Sequence, residues 1–180
     1  MPGRPSRATP GSCVCVALGS NLGDSPRLLV EAMDALDRIA TGAVRRSSIW
    51  WSTPDACPPG SPVFANAAVV LAPRRGETPE SLLAKLQALE REFGRRPKQV
   101  LNEARPLDLD LIAWAGEVRS GPVLTLPHPR AHLRRFVLAP LAELVPEFVL
   151  PGQVRTVCEL LDRAPPDPGL RRWGSPAGGL

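Results

Sequence analysis

Arg105-Pro106-Leu107-Asp108-Leu109-Asp110-Leu111-Ile112-Ala113-Trp114 is an apolar, strand-like run interrupted by two carboxylates. Side chains of a strand alternate between its faces, so both acids project one way and Leu107, Leu109 and Leu111 the other. The leucines call for a core. The acids call for cations, because an unpaired buried carboxylate is costly, and either arginines or hard metal ions can supply them. Two acids on one strand face therefore form a candidate Mg²⁺ platform, with a purely structural ion-pair cluster as the alternative.

Working back from this strand, the loop Arg95 to Arg105 carries Arg95, Arg96, Lys98 and Arg105. Before it, Thr78 and Pro79 open a helix whose Leu82, Leu83, Leu86, Leu89 and Phe93 recur at helical spacing, with Gly94 at its C-terminal cap. Phe64 to Ala72 and Val44 to Trp51 read as strands separated by a Pro-rich loop, Ser52 to Pro62. A first helix, capped by Ser25 with Pro26 at its start, runs to Gly42 and follows a buried strand, Cys13 to Leu18, and a turn at Gly19 to Asp24. The resulting order, βαββαβ, predicts an α+β fold, a ferredoxin-like sandwich with two helices on one face of the sheet. Residues 118–161 add C-terminal turns and helix, which Pro140 and Pro146 make hard to delimit. The expected organisation is a flexible N-terminal tail at 1–11, one domain at 12–162 and a flexible Pro/Gly-rich tail at 163–180.

A length of 180 residues suits a single domain with a real core. The net charge of +4 rests mostly on arginine, whose planar fork grips phosphate and carboxylate oxygens. Cys13, Cys15, Cys57 and Cys158 form no CxxC pair, which fits a reducing compartment. Neither a long apolar run nor an N-terminal signal core is present, so a cytoplasmic protein with no membrane partner is expected. The loop Gly19-Ser20-Asn21-Leu22-Gly23-Asp24 lacks both GxGxxG and the Lys-Ser/Thr ending of a Walker A motif, which excludes the Rossmann and P-loop readings. It reads locally as a turn with glycine at positive φ.

Two further segments could carry chemistry. Leu126-Pro127-His128-Pro129-Arg130-Ala131-His132-Leu133-Arg134-Arg135-Phe136 holds both histidines among several arginines. HxxxH without a third ligand is a weak zinc signal, and Pro129 opposes a regular helix at His128, leaving a phosphate-facing basic loop or a solvated one. Phe64 and Asn66 share one strand face, so they could stack on and hydrogen-bond a flat heterocycle, or simply pack.

Taken in order, ALGSNLGD at 17–24, SSIWWSTPDACPPGSPVFANAAV at 47–69, LEREFGRRPKQVLNEARPLDLDLI at 89–112 and LTLPHPRAHLRRFVLAPLAEL at 124–144 resemble the 6-hydroxymethyl-7,8-dihydropterin pyrophosphokinases of the folate pathway. The resemblance covers about Cys13 to Leu150, and ARPLDLDLI followed by LPHPR is its most specific part. It implies transfer of pyrophosphate from ATP to a pterin alcohol, with Asp108 and Asp110 binding two Mg²⁺ ions and acting with Arg95 and Arg105 as catalytic residues. ATP would be held by Glu90, Arg95, Arg105, Leu111, Ile112, Thr125, His128 and Arg134. The pterin would be bracketed by Phe64 and Phe136, with Asn66, Ser52, Thr53, Pro54 and Asp55 along its edge and Asn21 close by. The chain departs from the common pattern at Asn102-Glu103-Ala104, where many members carry Trp, at Phe64, where Tyr is common, and at Trp50-Trp51. ATP and the pterin are the expected partners and a monomer the expected state. Nucleic acid is not expected, since the aromatic strands of RNA-recognition domains are missing.

Overall fold

In the computed structural model, which describes residues 13–55, 57–96 and 104–173, the first strand, β1 (Val14–Ser20), is an inner strand of an antiparallel sheet. Chain order continues with α1 (Ser25–Ile39), β2 (Arg45–Arg46), β3 (Trp50–Ser52), β4 (Phe64–Leu71), α2 (Pro79–Glu92) and β5 (Asp108–Trp114). A small ribbon, β6 (Arg119–Ser120) and β7 (Thr125–Leu126), precedes α3 (Arg135–Leu144), α4 (Val157–Arg163) and a last short strand, β8 (Arg171–Arg172). Across the sheet the strands lie β5-β1-β4-β3-β8, with β2 also paired to β4. Among the described residues no helix is long and apolar enough to cross a membrane.

The sequence sets the helix starts by local chemistry. Thr78 caps α2 in a reciprocal capping box with Ser81, which satisfies donors at the helix start that lack an intrahelical partner. For α1 the cap is Asp24, which accepts from the Arg27 N–H; Ser25, expected as the cap, is instead the first helical residue and bonds Ser20. The Val44–Trp51 segment divides into two short strands; at Ser47 the N–H still donates to the Ala68 carbonyl, but the Ala68 N–H is taken by the Ser47 hydroxyl in place of a backbone carbonyl. Pro140 lies inside α3, where only the carbonyl of Phe136, in the first turn, loses its helical partner.

Both faces of the sheet are covered, so the expectation of helices on one face is incomplete. Val14, Val16, Leu18, Ala67, Val69, Leu109 and Leu111 pack with the apolar stripes of α1 and α2. Cys15, Ala68, Val70 and Ile112 pack on the opposite side with Val137, Leu138 and Leu141 of α3 and Val157 and Leu160 of α4. A register shift between Cys15 and Val16 pairs them with Ala113 and Leu111, skipping Ile112. That irregularity lets Ile112 and Ala113 both face α3 while Trp114 returns to the leucine side.

The tail expected at 163–180 is ordered over its first part. Arg163 ends α4, Ala164 is buried, and β8 pairs with β3. A Pro-rich composition with little apolar surface cannot form a core, but an open strand edge offers it main-chain hydrogen bonds. Residues 1–12 and 174–180 lie outside the described residues, and with them the expected N-terminal tail.

Candidate active site

The acids stand at the start of β5, where α3 does not cover the sheet. Leu107, Leu109 and Leu111 are each at most 3% exposed, on the side of α1 and α2. The alternation of the strand therefore turns Asp108 and Asp110 to the opposite face, as expected, and there they border two clefts.

One cleft, enclosing about 610 Å³ of space that opens to solvent, runs between Phe64 of β4, Phe136 of α3 and the start of the Pro-rich loop. Ser52, Thr53, Asp55 and Asn66 line it. Asn66 donates its amide hydrogens to Ser52 Oγ at 2.9 Å and to the Trp50 carbonyl at 3.3 Å, which commits its nitrogen and leaves the oxygen as an acceptor. Arg134 lies over the Phe136 ring at 5.4 Å and 3.7 Å from Asp55, tying α3 to the Pro-rich loop.

The other cleft, about 750 Å³ and also open, is lined by Glu90, Arg95, His128 and Arg130. Arg105, Asp108, Asp110 and Arg134 line both. Asp108 pairs with Arg95 at 2.9 Å and with Arg105 at 3.3 Å. Among the described residues nothing pairs with Asp110 within salt-bridge or hydrogen-bond distance. Burial, reinforced by the neighbouring Asp108 charge, pushes its carboxyl above the ordinary range. Burial likewise pushes the His128 imidazole below its usual value, with Arg134 and Arg130 adding to the effect and Asp110 opposing it. Its Nδ1 accepts from the Arg130 N–H at 3.3 Å, and the backbone N–H of His128 donates to the Ile112 carbonyl at 2.8 Å. The neutral tautomer this fixes carries its proton on Nε2, a donor suited to a phosphate oxygen.

Of the residues expected at the ligands, Glu90 lines the basic cleft, whereas Asn21 and Pro54 line neither cleft. Glu90 is buried, accepts from the Leu109 N–H at 2.7 Å and pairs with Arg95, so it holds the arginine and the acid-bearing strand together. Burial pushes its carboxyl up against the pull of these partners. Asn21 lines neither cleft. Its Oδ1 accepts from the Arg105 N–H at 2.9 Å and its own N–H donates to the Arg105 carbonyl at 3.2 Å, which fixes the backbone of that arginine; its buried Nδ2 has no partner. Pro54 does not line the cleft that its neighbours Thr53 and Asp55 border.

Leu111, Ile112 and Thr125 are not brought to either cleft either. The first two side chains are buried on opposite faces of β5, because a core strand has no free face at that level, and Thr125 is exposed on β7. Arg96 is exposed and apart, while Lys98 and Asn102 to Glu103 lie outside the described residues. Sequence reasoning passed over Ala17, Gly19 and Val137 as lining residues. Gly19 pairs with Asn66 and Asp108 across the sheet, so its missing side chain leaves the cleft floor open, a role that a turn motif does not announce.

The family model for 7,8-dihydro-6-hydroxymethylpterin-pyrophosphokinase matches residues 15–146. The chain is 36% identical over 166 residues to the 2-amino-4-hydroxy-6-hydroxymethyldihydropteridine pyrophosphokinase of Synechocystis, covering 89% of this chain and 83% of that one. It is 37% identical over 153 residues to the enzyme of the same name from Pseudomonas aeruginosa, covering 84% and 91% of the two. Among solved structures, the HPPK-DHPS protein of Plasmodium falciparum superposes with a TM-score of 0.67 at 12% identity, over 84% of this chain and 44% of that one. The likeness to that structure concerns the fold, and this chain spans less than half of its length.

Proposed function

The chain belongs to the 7,8-dihydro-6-hydroxymethylpterin-pyrophosphokinase family and is a diphosphotransferase of folate synthesis with ATP as co-substrate; on that premise we propose how its own residues perform the transfer. Pyrophosphate passes from ATP to the hydroxymethyl group of 6-hydroxymethyl-7,8-dihydropterin, giving the pterin diphosphate and AMP. The observation that carries the assignment of roles is the position of Asp108 and Asp110, which border an aromatic-lined cleft on one side and a basic cleft on the other.

The aromatic-lined cleft takes the pterin, with Phe64 and Phe136 at its ring, the oxygen of Asn66 facing its donors and the backbone of Ser52 to Asp55 along its edge. The basic cleft takes the triphosphate, which Arg95, Arg105, Arg134 and His128 hold. Transfer needs the pterin hydroxyl oxygen in line with the β-phosphorus and water excluded, and the shared wall of the two clefts supplies that alignment. AMP is then the leaving group. Arg95 and Arg105, which neutralise Asp108 in the free protein, turn their remaining donors to the phosphates.

Asp108 and Asp110 present hard oxygen donors on one face, and among the described residues no third His, Cys, Asp or Glu joins them. That set fits Mg²⁺, which binds through one or two carboxylates and takes its other ligands from substrate phosphates and water. These two acids would hold two Mg²⁺ ions, which would supply neutralisation of the phosphate charge during transfer. Asp110, whose carboxylate burial and the Asp108 charge disfavour, would be stabilised by such a cation.

The strand order β5-β1-β4-β3, with every neighbouring pair antiparallel, supports a ferredoxin-like reading of the core. The working unit of this reading is a monomer, within a domain at about 12–162. Free thiols at Cys13, Cys15, Cys57 and Cys158 fit a reducing cytoplasm. AMP release from ATP, measured with and without the pterin and Mg²⁺, tests the reading. Release that requires both is expected, and pterin-independent release or none overturns it.

A further inference from the structure

The segment from Asp167 to Trp173 is absent from the chemistry just described, yet it is bonded along the whole approach to the aromatic-lined cleft. Asp167 Oδ1 accepts from the Thr53 hydroxyl at 2.8 Å and from the Gly169 N–H at 2.9 Å, while its Oδ2 accepts from the Thr53 N–H at 3.2 Å. Thr53 is a lining residue of that cleft. Leu170 N–H donates to the Asp167 carbonyl at 3.0 Å and closes the turn around Pro168 and Gly169. Gly169 packs so close that an added Cβ would lie 2.6 Å from Thr53 Cγ2 and 3.2 Å from Thr53 N, so only glycine fits there without displacing the loop.

Beyond the turn, Arg171 and Arg172 pair with Trp51 and Trp50, and the Trp173 N–H donates to the Ile49 carbonyl at 2.8 Å. The Arg172 guanidinium lies 5.4 Å from the Trp50 ring centroid and 2.9 Å from Glu143, which also accepts from Trp50 Nε1 at 2.9 Å and from the Ser48 N–H at 2.8 Å. The same short strand, β3, is thus held on one edge by β4 and on the other by β8. It delivers Ser52 and Thr53 into the cleft.

We propose that the segment 167–173 is a specificity brace for the acceptor side of the reaction, with Asp167 as a positioning residue that fixes Thr53 and the adjoining pterin-facing backbone. The inference rests on the pterin occupying the aromatic-lined cleft. The physical reason is preorganisation. A Pro-rich loop whose main-chain groups must meet a heterocycle loses affinity if it has to be ordered on binding, and a carboxylate that captures both donors of Thr53 has already ordered it. Among the described residues none of 167–173 lines the basic cleft, so ATP binding is expected not to depend on the brace.

Asp167→Ala and Thr53→Val test this in the whole chain. Asp167→Ala should raise the KM for the pterin about tenfold while the KM for ATP and the melting temperature stay nearly constant. Thr53→Val should do the same in smaller measure, since it keeps the backbone N–H bond. Combined with Asp167→Ala, Thr53→Val should add little. Hydrogen exchange of the amides at 50–55 in the ligand-free protein should quicken in Asp167→Ala, a readout that needs no turnover. Unchanged exchange overturns the brace, and so does a parallel loss in both KM values together with melting temperature, which marks general destabilisation. If the parent chain fails to release AMP with the pterin while exchange responds as stated, the assigned reaction is at fault and the brace on Thr53 stands.

Discussion

Along the segment 107–111 the leucines and the aspartates are neighbours in sequence and differ in almost everything else. Leu107, Leu109 and Leu111 are sealed in the core shared with α1 and α2, where they stabilise the fold. Asp108 and Asp110, on the other face, stand where two clefts meet, and the fold holds two like charges there at its own cost. A single strand thus carries stability on one side and chemistry on the other. The sheet can bear Asp108 because Arg95 and Arg105 pair with it, whereas Asp110 has no such partner among the described residues.

The sharpest way to break this division is to remove the acids. Asp110→Ala or Asp108→Ala should lower kcat roughly a thousandfold, about 4 kcal/mol of lost transition-state stabilisation, with pterin affinity changed only a few-fold. Single-turnover AMP formation and equilibrium pterin binding separate the two effects. Near-normal turnover would sink the assignment of either residue.

The opposite face should answer in the opposite way. Leu109→Ala should cost about 3 kcal/mol of stability through lost burial and a residual cavity, measured by urea unfolding, while kcat per folded molecule changes little. A large fall in kcat at unchanged stability would show that the leucine face also shapes the site.

Asp110→Asn joins both sides of the comparison. A carboxyl whose folded pKa lies above its unfolded value stabilises the native state below the unfolded pKa and loses that contribution as pH rises through the folded one. The parent should therefore match Asp110→Asn near pH 3 and be the less stable of the two at neutral pH. The asparagine variant should be nearly inactive throughout. Urea unfolding of both proteins across this range checks the sign, and a variant less stable than the parent at neutral pH would contradict it.

The smallest effect is expected at Gly19. An added Cβ would meet Asn66, Asp108 and Phe64 at 3.9 to 4.0 Å, ordinary contact, so Gly19→Ala should leave stability and KM for the pterin within about twofold. Gly19→Val projects further into the cleft and should raise that KM clearly. Equal behaviour of the two would mean the floor of the cleft is not in contact with the acceptor.

Much of this was legible in the chain because it depends on local periodicity. The period-two run at 107–111 announces a strand with two unlike faces, and the Thr78-Pro79 start with its leucine stripe announces α2. The two-sided burial of the sheet was harder to read, since α3 contains Pro140 and begins inside a basic segment that reads as a loop. The acids, Arg95, Arg105, Arg134 and the aromatic pair, picked out by residue type, all border one or both of the clefts. Sequence gives a polar residue's neighbourhood but not its hydrogen-bond partner, so it did not announce that Glu90 bonds the Leu109 N–H or that Asn21 bonds the Arg105 backbone.

The sequence alone determined which residues of the 107–111 run alternate, where α2 starts and which side chains can carry charge to a phosphate, because these follow from the chemistry of adjacent residues. Only the tertiary structure decided that Asp108 and Asp110 separate two clefts, that Gly19 opens the floor of one, and that a Pro-rich C-terminal segment is bonded to Thr53. Those facts rest on pairings between residues distant in the chain, and such pairings are selected by which edges and faces remain open once the core has closed.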